Sequence, residues 1–162
     1  MADVDYFLKL DGIEGEASDS KHAKEIDIES WSWGEAQSGT HGHGTGGGGA
    51  GKVSFQDFHF VMKVNKASPK LMLACATGQH IKSGLLTVRK AGTEQQEYYK
   101  ITLSDILCSS YQTGGHAHHG LPTDQISLNF AKLEVEYKEQ KPDGTLGGST
   151  KAGYDLKLNK KV

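Results

Sequence analysis

Hydrophobic and polar residues alternate along most of the chain with a period of two. Three clear examples carry an apolar residue at every second position: Tyr6, Leu8 and Leu10; Tyr99, Ile101 and Leu103; and Tyr154, Leu156 and Leu158. This period is typical of β-strands that bury one face and expose the other. The pattern therefore predicts a chain that is mostly antiparallel β-sheet.

Three longer segments change parity partway along. Their apolar positions are Ile26 and Ile28 followed by Trp31 and Trp33; Val53 and Phe55 followed by Phe58, Phe60 and Met62; and Ile126, Leu128 and Phe130 followed by Leu133, Val135 and Tyr137. A parity change needs a bulge or a bend, where the chain turns a corner between sheets. The three changes predict an all-β fold of strongly curved sheets, either a β-barrel or two packed sheets.

One short α-helix is predicted over residues 68–77. Ser68 is a favourable N-cap, Pro69 suits the first helical position, and Gly78 suits the C-terminal stop. Residues 71–76 are apolar nearly all round the helix, so we expect it to be covered on most sides. This helix is therefore expected to have a structural role.

Turn residues divide the rest of the chain into hairpins. Turns are predicted at residues 91–95 and 142–144, and the last strand is expected to start near Lys151. No linker interrupts the pattern, so residues 1–162 are expected to form a single domain.

A glycine-rich loop is predicted from Gly39 to Gly51, where eight of thirteen residues are Gly. Loops of this length are uncommon and are usually either functional or disordered. Residues 46–52 (GGGGAGK) fit the frame of a phosphate-binding loop, but Val53 stands where that motif needs a hydroxyl for Mg²⁺. The flanking residues also lack the strand and helix that would position phosphates, so the sequence argues against nucleotide binding.

Composition and charge exclude several classes of protein. The 162 residues carry a formal net charge of −2, which gives no basic field for nucleic acid. No apolar stretch approaches the roughly 18–20 residues that cross a membrane, and the N-terminus does not resemble a signal peptide. Cys75 and Cys108 both lie in apolar surroundings, which indicates buried thiols rather than a disulfide in a chain that folds in the cytoplasm.

Five histidines are concentrated in two glycine-rich loops: His41 and His43 in the first, and His116, His118 and His119 in the second. Neutral imidazoles could hold Zn²⁺ or Ni²⁺ if the loops converge, but no carboxylate lies beside them in sequence to orient the rings. They could equally be ordinary polar loop residues, or groups that respond to pH near their ordinary pKa of about 6.5. The sequence predicts no cofactor, and no spacing indicates a catalytic group.

A series of short motifs runs through the chain in order: Trp31-Ser32-Trp33-Gly34, Gln37-Ser38-Gly39, Gly51-Lys52-Val53, Ser68-Pro69, residues 86–92 (LTVRKAG), residues 99–103 (YKITL), Ser109-Ser110, Thr113-Gly114-Gly115 and residues 127–132 (SLNFAK). No single motif is diagnostic, but the ordered set covers essentially the whole chain. Taken together, these residues resemble the Hcp family, the haemolysin-coregulated proteins of bacterial type VI secretion.

The resemblance implies a structural protein without catalytic activity. Six copies are expected to form a ring, and rings are expected to stack into a hollow tube that a contractile sheath drives outward with a spike protein. Small effector proteins would travel in the lumen, and the tube would be assembled in the cytoplasm and secreted without a signal peptide. No contact with nucleic acid and no insertion into a membrane are expected.

Within that expectation, several residues acquire roles. Trp31 and Trp33 share one strand face and are expected in the core or in a subunit contact, which leaves Ser32 on the opposite face, towards the lumen and its cargo. The glycine-rich loop is expected to reach an adjacent subunit or ring, through Gly39, Gly46, Gly47, Gly48, Gly49 and Gly51. A disordered surface loop is the alternative.

Two other functions remain open at this point. One is an effector chaperone or adaptor that acts as a free ring without building a tube. The other is a metal-dependent β-barrel enzyme that uses the loop histidines.

Overall fold

The computed structural model describes residues 4–39, 50–90, 95–118 and 120–162. Within these ranges the chain forms eleven strands and one helix, which confirms the all-β prediction with a single short helix. In chain order they are β1 (Val4–Leu10), β2 (Ile26–Asp27), β3 (Ser30–Ser32), β4 (Glu35–Gly39), β5 (Ala50–Phe55), β6 (Phe58–Lys63), α1 (Ala67–Thr77), β7 (His80–Lys90), β8 (Glu97–Gly114), β9 (Thr123–Gln140), β10 (Leu146–Asp155) and β11 (Lys160–Lys161).

The strands form a nine-stranded antiparallel sheet and a separate hairpin of β4 and β5. The long strand β9 is the branch point of the large sheet. It pairs with β8 along its length, with β6 through its first half and with β10 through its second half. From β8 the sheet continues through β7 and β1 to β2, and on the other side β3 pairs with β6.

Of the two arrangements left open by the sequence, the closed β-barrel is not the one the described residues form. The ladder is interrupted between β2 and β3, because β2 pairs with β1 whereas β3 pairs with β6. The residues between them hydrogen-bond to both neighbours: the Ile28 amide donates to the Tyr6 carbonyl (3.2 Å) and the Glu29 amide to the Val61 carbonyl (2.8 Å). The segment therefore crosses from one side of a curved sheet to the other.

The predicted parity changes have two physical origins. Two of them fall at strand boundaries, between β2 and β3 and between β5 and β6, where the chain changes its pairing partner. The third lies inside β9, whose buried residues shift between Phe130 and Leu133, and β8 shifts at the same level between Leu103 and Ile106. Asp105 lies at this corner with φ 53°, a left-handed conformation that Asp tolerates better than most residues.

Helix α1 begins at Ala67, one residue earlier than predicted, and Ser68 is not its N-cap. Instead the Asn65 side-chain oxygen accepts a hydrogen bond from the Ala67 amide (2.8 Å). The Ser68 hydroxyl donates to the buried carboxylate of Asp124 (2.5 Å), which ties the helix to β9. The helix ends as predicted at Gly78, which has φ 68° and donates its amide to the Ala74 carbonyl.

The apolar surface of α1 is less covered than its sequence predicted. Leu71 and Ala74 are completely buried, but Met72 and Leu73 are 49% and 54% exposed. The helix contacts the sheet through one side only, so the expectation of burial on most sides is wrong for the isolated chain.

The turn predicted at residues 142–144 is present. The Lys141 amide donates to the Thr145 carbonyl (2.8 Å), and Gly144 has φ 88°. The next strand, β10, begins at Leu146 rather than near Lys151, and a short strand, β11, follows it. Most of the turn predicted at residues 91–95 lies outside the described residues.

Candidate functional site

A groove runs across the outer face of strands β3, β6, β8 and β9 and has a volume of about 430 Å³. It arises because alternate residues of these strands face away from the core. Ser30 and Ser32 are exposed on β3, and Trp31 between them packs against the core. The groove is lined by Ser30, Trp31, Ser32, His59, Phe60, Val61, Ser110, Gln112, Gln125, Ile126 and Ser127.

The groove is polar but uncharged. Its lining consists of hydroxyls, two amides, one imidazole and apolar side chains, and none of the lining residues is Asp, Glu, Lys or Arg. Hydroxyl and amide groups donate and accept hydrogen bonds without a strong field, so this surface suits neutral polar groups such as those of a protein backbone.

His59 and Ser127 form a side-chain hydrogen bond within the groove. The imidazole Nδ1 and the Ser127 hydroxyl are 2.6 Å apart, joined across β6 and β9. A neutral ring with its proton on Nε2 accepts this hydrogen bond from the hydroxyl. Among the described residues no carboxylate hydrogen-bonds to His59, so the pair lacks the acid that orients the base of a catalytic triad.

Next to the groove, the Asp57 carboxylate holds two polar side chains from β8 and β9, an arrangement called here the carboxylate clamp. Asp57 accepts hydrogen bonds from the Ser109 hydroxyl (2.6 Å) and the Asn129 side-chain amide (2.9 Å). Ser109 is available for this contact because the pairing of β8 with β9 shifts register between Cys108 and Ser110. The clamp joins the residue before β6 to both long strands, next to the groove.

The two tryptophans that flank Ser32 have different environments. Trp31 stacks on Phe58 (6.2 Å between ring centroids) and meets the edge of Tyr6 (6.2 Å). Trp33 stacks on Phe55 (6.4 Å), which in turn contacts Tyr154. Trp31 therefore anchors β3 to the core, whereas Trp33 joins the base of the β4–β5 hairpin to the C-terminal strands.

The hairpin of β4 and β5 stands apart from the large sheet. Its strands pair from Glu35 with Phe55 to Gly39 with Ala50, and all five residues of β4 are exposed. Gly39 and Gly51 are thus strand residues rather than loop residues as predicted. Gly46, Gly47, Gly48 and Gly49, which were predicted to contact another subunit, lie outside the described residues, as do His41 and His43.

An open cleft of about 970 Å³ separates this hairpin from β9 and β10. Its walls are largely apolar, with Trp33 and Phe55 on the hairpin side and Leu133, Val135 and Tyr154 on the sheet side. The hairpin is held at its base and is free of the sheet along its exposed strand, a geometry suited to contact with a second molecule.

Of the five loop histidines, the structure describes His116 and His118. Their ring centroids are 6.0 Å apart, and the His118 amide is 3.5 Å from Nδ1 of His116. The described part of the chain contains no group of three His, Cys, Asp or Glu residues that could hold a metal ion. The metal hypothesis also involves His119, which lies outside the described residues, so it stays a prediction.

Sequence reasoning missed most of the groove. Only Ser32 was predicted, from its position between two tryptophans. The same alternation places Gln125 and Ser127 on the groove face of β9, where Gln125 is exposed and Ser127 is buried and hydrogen-bonded to His59. His59 lies between Phe58 and Phe60 and shows the same signal. What the alternation could not give is which strands are neighbours, because the groove combines residues as far apart as Ser30 and Ser127.

Sequence reasoning also missed a buried charge cluster formed by β1, β7 and the segment before β2. The guanidinium of Arg89, which is 2% exposed, donates to both carboxylate oxygens of Asp19 (3.1 and 2.8 Å) and to Asp5 (3.1 Å). It also lies over the ring of Phe7 at 4.8 Å. His22 stacks on Phe7 and contacts Glu25 (2.8 Å) and Glu97 (2.6 Å), so the cluster ties the segment before β2 to the sheet.

Comparison with known proteins identifies the class to which this fold and these surfaces belong. Residues 7–137 match the family described as type VI secretion system effector, Hcp. The chain is 50% identical over 158 residues to protein hcp1 of Pseudomonas aeruginosa, covering 96% of this chain and 97% of the relative. The chain belongs to the Hcp family, which confirms the resemblance seen in its sequence.

Solved structures agree with this assignment. The crystal structure of Hcp1 from Salmonella typhimurium superposes with a TM-score of 0.82 at 33% identity, covering 99% of this chain and all of the other. The structure of a type six secretion system protein gives a TM-score of 0.91 at 28% identity, covering 98% and 99%. The family is one of structural secretion proteins rather than a known enzyme family. In the described part of the chain, no helix is long and apolar enough to span a membrane.

Proposed function

We propose that this chain is the tube subunit of a type VI secretion system. Six copies form a ring, and the rings stack into a hollow tube that is assembled in the cytoplasm. A contractile sheath propels the tube with its spike protein, and the subunit is exported without a signal peptide. The observation that carries this proposal is the similarity to Hcp proteins over nearly the whole chain, at 50% identity to the Pseudomonas relative.

The β4–β5 hairpin is the proposed assembly contact. A closed ring needs a head-to-tail contact, and stacking of rings needs a second contact along the axis. Every residue of β4 is exposed, and the hairpin pairs with no other strand in the described ranges. It therefore carries the glycine-rich segment, from Gly39 through Gly46–Gly49 to Gly51, towards an adjacent subunit or ring.

The uncharged groove around Ser32 is the proposed surface for small effector proteins in the lumen. Its exposed hydroxyls and amides offer hydrogen bonds to cargo, and the absence of charged side chains from its lining avoids a strong preference for acidic or basic proteins. Trp31, packed on the core behind Ser32, keeps the strand in place as cargo enters and leaves.

The mass of the untagged protein in solution tests the ring. Light scattering over a range of concentrations is expected to give a stable species of six subunits. A monomer at every concentration would contradict the proposal. A ring that never forms tubes in cells, by electron microscopy of the sheath and its contents, would favour a free-ring effector chaperone or adaptor.

A bulky substitution at Ser32 tests the groove. Ser32→Tyr is expected to leave the mass of the six-subunit ring unchanged. It should reduce capture of effector proteins, because the tyrosine side chain would fill the space above His59 and Gln112. Ser18→Tyr makes the same change at an exposed serine outside the groove and is the control. Equal effector capture by both variants would show that cargo binds elsewhere.

A further inference from the structure

Two oppositely charged surfaces lie beside different levels of strand β9. Thr123, at the start of β9, pairs with Lys63 at the end of β6, and an acidic surface lies beside this level. Lys132 pairs with Asp155 at the end of β10, and a basic surface lies beside that level. At about 3.3 Å per residue, roughly 30 Å of strand separates the two levels.

The acidic surface surrounds a concavity of about 360 Å³ between the ends of β2 and β6. Three carboxylates and one lysine, Lys63, line this concavity, and an exposed leucine lies at its edge. The residues that define the acidic surface are Glu16, Asp27, Glu29 and Leu121. Leu121 is 63% exposed, and an exposed apolar side chain among carboxylates suits a protein segment rather than a small cation.

The negative charge at this surface is not balanced within the chain. Desolvation foremost, and then the charges of Asp5, Asp19 and Glu25, raise the pKa of Asp27. The direction of this shift shows that the neighbouring carboxylates outweigh the nearby cations at Asp27. Asp27 also belongs to β2, which pairs only with β1 in the described ranges and so has a free edge.

The basic surface consists of residues 157–162 (KLNKKV), the turn after β10 together with β11. All six residues are exposed, and they include three lysines and no acidic residue. Leu158 and Val162 are 61% and 55% exposed. Lys157 lies 3.7 Å from the Asp105 carboxylate, so one of the three lysines has a partner within the chain. Strand β11 pairs only with β10 in the described ranges, which leaves its other edge free.

We propose that the acidic surface of one copy of this chain binds the basic surface of the next copy. Each surface supplies what the other lacks, because carboxylates meet lysines and the exposed Leu121 meets the exposed Leu158. Two free strand edges also meet, and such edges pair readily with another chain. The formal net charge of the whole chain is only −2, so long-range repulsion between copies is small.

Repetition of this contact builds an open stack of copies. Its two halves lie at different levels of β9, so each copy is displaced from the previous one along that strand. A head-to-tail contact that does not close continues as a filament. The assignment rests on the proposed function: this contact joins successive rings along the axis of the tube.

Cross-linking of the purified full-length protein tests the contact. Glu29→Cys and Lys160→Cys place one thiol on each surface. The chain also carries Cys75→Ala, while Cys108, which is 3% exposed, is retained as an unreactive buried thiol. A short bismaleimide is expected to join the two introduced thiols of adjacent copies and to give a ladder of more than six chains in denaturing electrophoresis.

The matched control places the two thiols elsewhere on the surface. Lys82→Cys and Glu139→Cys remove the same two charge types at exposed positions outside both charged surfaces. This pair, in the same Cys75→Ala chain, is expected to give no ladder beyond six chains. The Cys75→Ala chain without introduced thiols provides the baseline.

Charge reversal in the cross-linking chain tests the chemistry of the contact. Glu16→Lys with Asp27→Lys should slow formation of the ladder at least about tenfold, because like charges then face each other. Adding Lys157→Glu and Lys161→Glu reverses the opposite surface as well and should restore the rate. Equal rates for all three chains would overturn the electrostatic contact.

The remaining outcomes separate this contact from the ring itself. A ladder no longer than that of the control pair would overturn the contact, and a ladder that stops at six chains would overturn its assignment to successive rings. Light scattering of the untreated protein reports on the ring independently. Six-subunit rings without a long ladder would overturn the contact and leave the proposed function standing. A long ladder from a protein that never forms six-subunit rings would support the contact and contradict the ring.

Discussion

Removing the Arg89 side-chain charge should destabilise the fold without touching the groove or the hairpin. In Arg89→Met, an unbranched apolar side chain replaces a guanidinium that is 2% exposed and that binds Asp19 through two hydrogen bonds and Asp5 through a third. Breaking a buried ion pair from one side typically costs about 3–5 kcal/mol. Because both aspartates remain partly exposed and can be rehydrated, we expect the lower end, about 3 kcal/mol.

Urea unfolding followed by tryptophan fluorescence measures this loss. With a denaturant slope of about 2 kcal/mol per molar, the midpoint should fall by about 1.5 M. Lys90→Met is the matched control, because Lys90 is the exposed neighbour of Arg89 on β7, and its loss should cost less than about 1 kcal/mol. Combining Arg89→Met with Asp19→Asn should destabilise less than the sum of the two changes, since they break the same pair.

The pH dependence provides a second measurement on the same cluster. Hydrogen bonds from Arg89, and then from the Lys21 amide, hold the pKa of Asp19 well below its ordinary value of 3.8. A carboxyl group with a lowered pKa in the folded state stabilises the fold above its ordinary pKa, and this contribution is lost as pH falls through the lower range. Wild-type stability should therefore decrease below a pH of about 4, and Arg89→Met should decrease less steeply.

The pKa of Asp27 shifts in the opposite direction, because desolvation foremost and the nearby Asp5 and Asp19 charges raise it. Since Arg89 pairs with those same two carboxylates, the difference between the two pH profiles reports on the whole cluster around Arg89. Equal midpoints for Arg89→Met and Lys90→Met, with parallel pH profiles, would refute the reasoning.

Two other predictions concern glycines. Gly15→Ala would place a Cβ 2.5 Å from the Glu25 carbonyl oxygen, so the backbone must shift, and thermal unfolding should show a loss of about 1–3 kcal/mol. Gly148→Ala, whose Cβ would meet nothing within 4 Å, is the control and should be nearly neutral. Deleting Gly46–Gly49 should leave folded, soluble subunits that fail to form tubes in electron micrographs. Tubes of normal length would show that this segment is not needed for assembly.

The sequence predicted the fold class because local alternation determines which face of each strand is buried. It predicted Trp31 inward and Ser32 outward on β3, and in the structure Trp31 packs against the core while Ser32 is exposed. It predicted Ser68 as the N-cap of α1, whereas Lys66 stands at that position and the Ser68 hydroxyl donates to Asp124, 56 positions away. The apolar helix α1 was expected to be buried on most sides. Periodicity, however, does not indicate whether the residues that bury it belong to the same chain or to another.

The same limit explains why Arg89 went unnoticed. In sequence it lies at an alternating position near the end of a strand, where a charged residue normally faces solvent. Its partners Asp5 and Asp19 are 84 and 70 positions away. Asp5 lies opposite Arg89 because β1 pairs with β7, and Asp19 comes from the segment between β1 and β2. Long-range pairing, which no local pattern encodes, decides whether such a charge is exposed or forms part of the interior.

Strand parity also links the core to the groove. On β6 the buried Phe58 and Phe60 alternate with the exposed His59. On β9 the buried Ile126 and Leu128 alternate with the exposed Gln125 and with Ser127, which hydrogen-bonds to His59. A slip of one residue in the pairing of these strands would bring His59 inward and expose an aromatic ring. The packing that stabilises the subunit thus fixes the polar face as well. The position of Ser32 relative to His59 therefore follows from the burial of Trp31 and Phe60, which pair directly across β3 and β6.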